Sequence, residues 1–220
     1  MKLKKIASLA LAGIMAVSML AGCKDGTNQE DPSSSSQVPT TANIVTYAND
    51  ALTGKQKNVY TFHDNAELNT ALQAVATDKT KCTAQKIEDA SMQMSYVKNN
   101  GDLTSAVKGK LSGSLTFQDN YTTFGAANTI PTNNGKTLSY IETSMMSGEL
   151  SEKAVAEITA EYFAKYMGDL ASSEGTNGTY KYDYSADISA IKVASPQNSA
   201  KTAWVVAVMI TKTATETGNL

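Results

Sequence analysis

The chain has 220 residues, a formal charge of −2 and 41% hydrophobic residues, enough for one domain with a real core and too apolar to be disordered throughout. Apart from one histidine, every basic side chain is lysine and none is arginine, so neither a basic nucleic-acid face nor the forked guanidinium grip on carboxylate or phosphate is expected. Two cysteines and one histidine are too few for a zinc site of the usual kind, and no Asp-x-Asp-x-Asp-Gly calcium loop occurs, so no metal or cofactor is expected.

The N-terminus has a separate logic. Lys2, Lys4 and Lys5 precede an apolar run over residues 6–20. A charged start, a short apolar stretch and small residues after it describe a secretory leader, and the run falls short of the roughly 20 residues of a membrane-spanning helix. It ends in Leu20-Ala21-Gly22-Cys23, which resembles the lipobox of bacterial prolipoproteins. That resemblance covers the leader and Cys23 alone. It implies cleavage before Cys23, acylation of Cys23, and a protein held at the outer face of the cytoplasmic membrane, as on a Gram-positive surface. Residues 1–22 are thus expected to be a signal peptide. Their loss removes three lysines and takes the formal charge from −2 to −5, which favours solubility and argues against nucleic-acid partners. With Cys23 acylated, Cys82 is the remaining thiol, and no internal disulfide can form.

From Lys24 the chain is rich in Ser, Thr, Pro and charge, a composition that cannot bury enough surface to fold. Residues 23–43 are expected to be the lipidated cysteine and a tether, and residues 44–220 a single domain. A short strand is expected over 58–62. Asp64 and Glu67 have the spacing of a capping box, and Leu68, Ala71, Leu72 and Val75 follow at helical spacing, predicting a helix over 65–77. Alternation from Ala90 to Tyr96 predicts a strand, Asn99-Asn100-Gly101 a turn, and residues 107–117 a second strand interrupted by glycines. An irregular stretch closes at Asn133-Asn134-Gly135, and residues 138–146 read as a strand. The longest helix is expected over 151–170, capped by Ser151, with Val155, Ile158, Tyr162 and Tyr166 as its buried stripe. Residues 175–178 form a loop. Strands are expected over 180–184, 188–194 and 202–213, the last two joined by the turn Ser195-Pro196-Gln197-Asn198. This order predicts an α+β fold in which two helices cover one face of an antiparallel sheet, with a possible duplicated β-α-β-β unit.

Three constellations bear on function. Cys82 and His63 are the pair that could make a thiolate–imidazolium nucleophile of an envelope hydrolase, although no motif surrounds either, and an incidental thiol is the plainer expectation. Ser-x-x-Lys occurs at Ser95, Ser105 and Ser189, but without the partner motifs of penicillin-binding enzymes. Tyr180, Tyr182 and Tyr184 share one face of a strand. Exposed, they would form a platform for a glycan or protein partner; buried, they would cover a core. Met92, Met94, Met145 and Met146 are expected to be packing residues. The resulting expectation is a membrane-anchored, non-catalytic binding module for an envelope protein or glycan, with a lipid-anchored solute-binding protein as the alternative.

Overall fold

The computed structural model describes residues 41–98, 101–132, 136–174 and 179–217. All of them belong to one compact unit, Pro39–Leu220. The leader, Cys23, most of the tether and the turns expected at Asn99-Asn100, Asn133-Asn134-Gly135 and 175–178 lie outside the described residues.

The elements run α1 (Thr41–Ala51), α2 (Gly54–Lys57), β1 (Phe62–His63), α3 (Ala66–Ala76), α4 (Ala84–Ala90), α5 (Asp102–Lys108), α6 (Tyr121–Gly125), β2 (Thr137–Ser147), α7 (Glu152–Ala164), a 3-10 turn at Met167–Asp169, β3 (Ser173–Glu174), β4 (Tyr180–Ala194) and β5 (Thr202–Glu216). Local chemistry explains the helix starts. The Asn65 side-chain oxygen accepts from the N–H groups of Glu67 and Leu68 at 3.0 and 3.1 Å, so the cap of α3 falls one residue after the expected Asp64. Ser151 caps α7 as its position predicts, accepting from Ala154 N–H at 3.1 Å. Helix α1 begins at Thr41, three residues before the boundary expected at residue 44, and its Ile44 and Ala48, with Leu52 just beyond it, are buried at spacings of four.

The sheet has the order β1-β4-β5-β2, with β3 added to β4. Strand β5 pairs antiparallel with β4 from Thr202 to Glu216 and with β2 from Ala203 to Thr213. Strand β1 lies parallel to β4, so the sheet is mixed rather than antiparallel. Even-numbered residues of β5, Trp204, Val206, Val208 and Ile210, join a core with α1, α6 and α7. Odd-numbered ones, Ala203, Val205, Ala207 and Met209, join a second core with α3, α4 and α5. Helices therefore cover both faces, which corrects the expectation of two helices on one.

The fold is α+β, and its first half corrects the sequence reading. The strands expected over 90–96 and 107–117 are replaced by α4, α5 and irregular chain. Only Phe117 makes a bridge, to Ser139. The element order thus lends no support to a duplicated β-α-β-β unit. The strands expected over 180–184 and 188–194 are one continuous β4. The buried face of α7 is also rotated from the expected stripe: Val155, Ala156, Thr159, Ala160 and Phe163 are buried, whereas Ile158 and Tyr162 are half-buried and Tyr166 is exposed. Gly148 turns the chain out of β2 so closely against β5 that a Cβ there would lie 2.6 Å from the Thr202 Cβ and 2.7 Å from its carbonyl carbon.

Two measurements check this packing. Phe163→Ala should cost about 3–5 kcal/mol in denaturant unfolding, and Ile158→Ala distinctly less, the reverse of what the expected stripe implies. Gly148→Ala should destabilise by about 1–3 kcal/mol, because the backbone of β5 cannot yield to the added methyl.

Candidate functional site

Strands β1 and β4 and the chain before β1 enclose a cleft of about 420 Å³ whose walls include Lys57, Tyr60, His63, Tyr182, Asp183 and Tyr184. Pairing of Phe62 with Ala186 and His63 with Asp187 sets the register that brings His63 beside β4. His63 lies 3.2 Å from the Thr61 hydroxyl. Asp187, bonded by the Asn65 amide at 3.0 Å, has its pKa raised by burial, against the lowering effects of that bond and of His63.

The three tyrosines do share a face of β4, yet they do not make an open platform. Tyr182 is 4% exposed and donates to the Ala127 carbonyl at 2.6 Å. Tyr184 is half-buried and donates to the Ala171 carbonyl at 2.7 Å. Burial raises the pKa of Tyr184, with Tyr182 adding to the shift. Tyr180 stands outside the cleft, its ring 5.3 Å from the Lys136 ammonium. The cleft therefore offers ring edges framed by polar groups: the exposed Lys57, His63 and Asp183 can hydrogen-bond a ligand, and Tyr184 can pack against it.

Cys82 and His63 are not brought together. Cys82 is sealed in the apolar cluster with α3, α4 and α5. Burial pushes its thiol up to about 11; Lys86 opposes the shift and Asp78 reinforces it. This is the opposite of an activated thiolate. His63 is an exposed residue of the cleft, whose lining does not include Cys82. Among the described residues no group of three or more His, Cys, Asp or Glu side chains could hold a metal ion. The methionines divide: Met145 and Met146 are buried as expected, but Met92 and Met94 are 75% and 57% exposed and do not pack in the core.

Sequence reasoning missed two buried charges. Lys212 of β5 is fully buried. Its ammonium donates to the carbonyls of Phe124, Ala126 and Thr129 at 3.3, 2.7 and 3.0 Å and lies 3.9 Å from the centre of the Tyr182 ring. It thus satisfies the carbonyls that end α6 and holds the following loop on the sheet. Burial pulls its pKa down to about 8. Glu142 of β2 is 2% exposed. The Tyr140 hydroxyl donates to its Oε2, and Lys98 lies 3.3 Å from the same oxygen. A lysine or glutamate inside an apolar strand run is the signal that would have found both, since such residues are rarely buried without a dedicated partner.

No known protein family, curated protein or solved structure matches this chain.

Lys212→Met should destabilise the domain by about 1–3 kcal/mol, because it removes the donor shared by three carbonyls, that of Phe124 among them buried. The pH dependence has a definite sign. The folded-state value of about 8 lies below the unfolded lysine value of about 10.4, so between them the unfolded chain holds the extra proton. Wild-type stability should therefore rise with pH across that window relative to Lys212→Met, as read by denaturant titrations of both proteins at pH 7 and pH 10.

Proposed function

We propose that this chain is a lipid-anchored, extracytoplasmic bacterial protein, attached through Cys23, whose domain acts by binding an envelope protein or glycan rather than by catalysis. One observation carries the reading: the lipobox-like Leu20-Ala21-Gly22-Cys23 behind a lysine-bearing leader. The Ser/Thr/Pro-rich residues after Cys23 act as a tether, and the β1–β4 cleft supplies the contact surface, with polar side chains arranged around tyrosine rings.

The cleft itself favours a second reading, a lipid-anchored solute-binding protein. Its volume of about 420 Å³ falls within the ~300–1,000 Å³ of small-molecule sites. The third, an envelope hydrolase using Cys82 and His63, draws no support from the geometry, because the thiol is sealed and protonated while the imidazole sits in the cleft.

Anchoring is tested by fractionation. Cys23→Ala should move the protein from the membrane to the soluble fraction or leave it uncleaved, since each buried acyl methylene contributes about 0.8 kcal/mol to membrane binding. An unmodified mature N-terminus elsewhere, read by mass spectrometry, would refute it. Binding is tested with isolated cell wall. Lys57→Ala with Asp183→Ala should cut retention at least several-fold while leaving the melting temperature unchanged, because both side chains are exposed.

A further inference from the structure

On the same face of the sheet as the cleft, but at its opposite edge, stands Glu142 of β2. Three phenols and an ammonium surround it. Tyr140, two residues earlier on β2, donates to Oε2. Tyr162 of α7 stacks on Tyr96 with ring centres 4.3 Å apart. The pKa values of Tyr96, Tyr140 and Tyr162 are raised first by burial; the Glu142 charge adds to each shift, and a side-chain hydrogen bond to Glu142 adds to those of Tyr140 and Tyr162. The Lys98 ammonium completes the group, 3.3 Å from Oε2, donating to the Tyr140 hydroxyl and 5.0 Å from the Tyr140 ring centre.

Two polar atoms of this group are left over. Glu142 Oε1 and the Tyr96 hydroxyl are buried with no hydrogen-bond partner among the described residues. Glu142 is 2% and Tyr96 7% exposed. Leaving such buried groups unbonded is unfavourable, so the site gains from any occupant that reaches them. The chain itself shows which chemistry suits the position. A carboxylate set among tyrosine rings attracts an organic cation, and an alkylammonium already lies there in the form of the Lys98 side chain, 5.0 Å from the Tyr140 ring centre.

We propose that Glu142, walled by Tyr96, Tyr140 and Tyr162, is a binding site for an alkylammonium group, in which Lys98 stands in for the ligand. Exchange is electrically neutral at the site: one ammonium leaves Oε2 as another arrives. Lys98 is suited to leaving. Its side chain is 29% exposed, and a long stem lets the ammonium swing into water without moving the backbone. An incoming ammonium not tied to the chain is free to seek Oε1 and the Tyr96 hydroxyl, the two atoms Lys98 leaves unbonded. The site is two strands away from the β1–β4 cleft, and the inference does not depend on where the protein is anchored.

The test titrates the full-length protein in detergent with n-butylammonium, a free copy of the lysine side-chain end, and with 1-butanol as its neutral counterpart. Binding is read by tyrosine near-ultraviolet circular dichroism at constant ionic strength. The wild type should respond saturably to the amine and not to the alcohol. Lys98→Ala should lower the half-saturating concentration at least tenfold by removing the resident competitor. Tyr162→Leu, at the half-buried rim, should raise it several-fold. Glu142→Gln should abolish the response, and if that variant does not fold, the amine-against-alcohol comparison on the wild type decides. A response confined to Lys98→Ala would overturn the proposal, reducing the cluster to an internal ion pair. Equal responses to amine and alcohol would overturn it too, since the site would then be reading apolar volume and not charge.

Discussion

Strand β5 is hydrogen-bonded along both edges and covered on both faces, and the rest of the domain follows from that. From Ala203 to Ile210 every residue is buried. Its two faces feed two separate cores, so each face needs its own layer of helices. Burial of this kind stabilises at roughly 25 cal/mol per Å² of apolar surface, and here one strand collects it twice. The same constraint acts on any polar group in the strand. Lys212 lies where the apolar run gives way to Thr211 and Thr213, too deep to reach water. The end of α6 and the loop behind it bring three carbonyls to its ammonium. A helix of five residues is marginal alone; α6 is held in place by the charge beneath it.

The second half of the chain was legible because its signals are long. Strands β2 and β5 and helix α7 each span eleven or more residues, enough for a period to emerge, and the Ser195–Asn198 turn marked the hairpin. The first half misled for a physical reason. Met92 and Met94 alternate with polar residues as a half-buried strand would, yet both project into solvent from irregular chain beside β2. What holds that segment is specific, not periodic: the Ser147 N–H bonds the Gln93 carbonyl at 2.7 Å and the Val97 N–H bonds the Ser144 hydroxyl at 3.2 Å. Helices α4 and α5 have seven residues each, too few to show a 3.6-residue period, and they are stabilised by Ile87, Leu103 and Val107 packing on the sheet. Helix α1 was hidden by composition, since its first residues continue the Ser/Thr-rich stretch.

The site was legible in part. The face shared by Tyr182 and Tyr184 could be read from alternation, and the structure adds His63 to the same cleft through the parallel β1–β4 pairing, which no local pattern announces. Burial of Tyr182 depends on a loop whose carbonyl at Ala127 receives its hydroxyl, a contact across 55 positions of sequence. The separation of Cys82 from His63 is likewise a matter of layers: the thiol fell within the α3–α5 side of the sheet, while the imidazole fell at the sheet edge.

Glu142 and Lys212 show two ways of keeping a charge inside one face of one sheet. Lys212 on the central strand is met by backbone carbonyls of α6 and the loop after it, so its partners are fixed and their arrangement is structural. Glu142 lies on β2, the edge strand, and its partners are side chains, one of them the partly exposed Lys98. A buried pair with fully matched partners gives little beyond specificity, because desolvation offsets the attraction. A pair with an acceptor and a phenol still unmatched is different: it retains unmade bonds that an added group can form. The central charge closes the fold, and the edge charge leaves it open to a ligand.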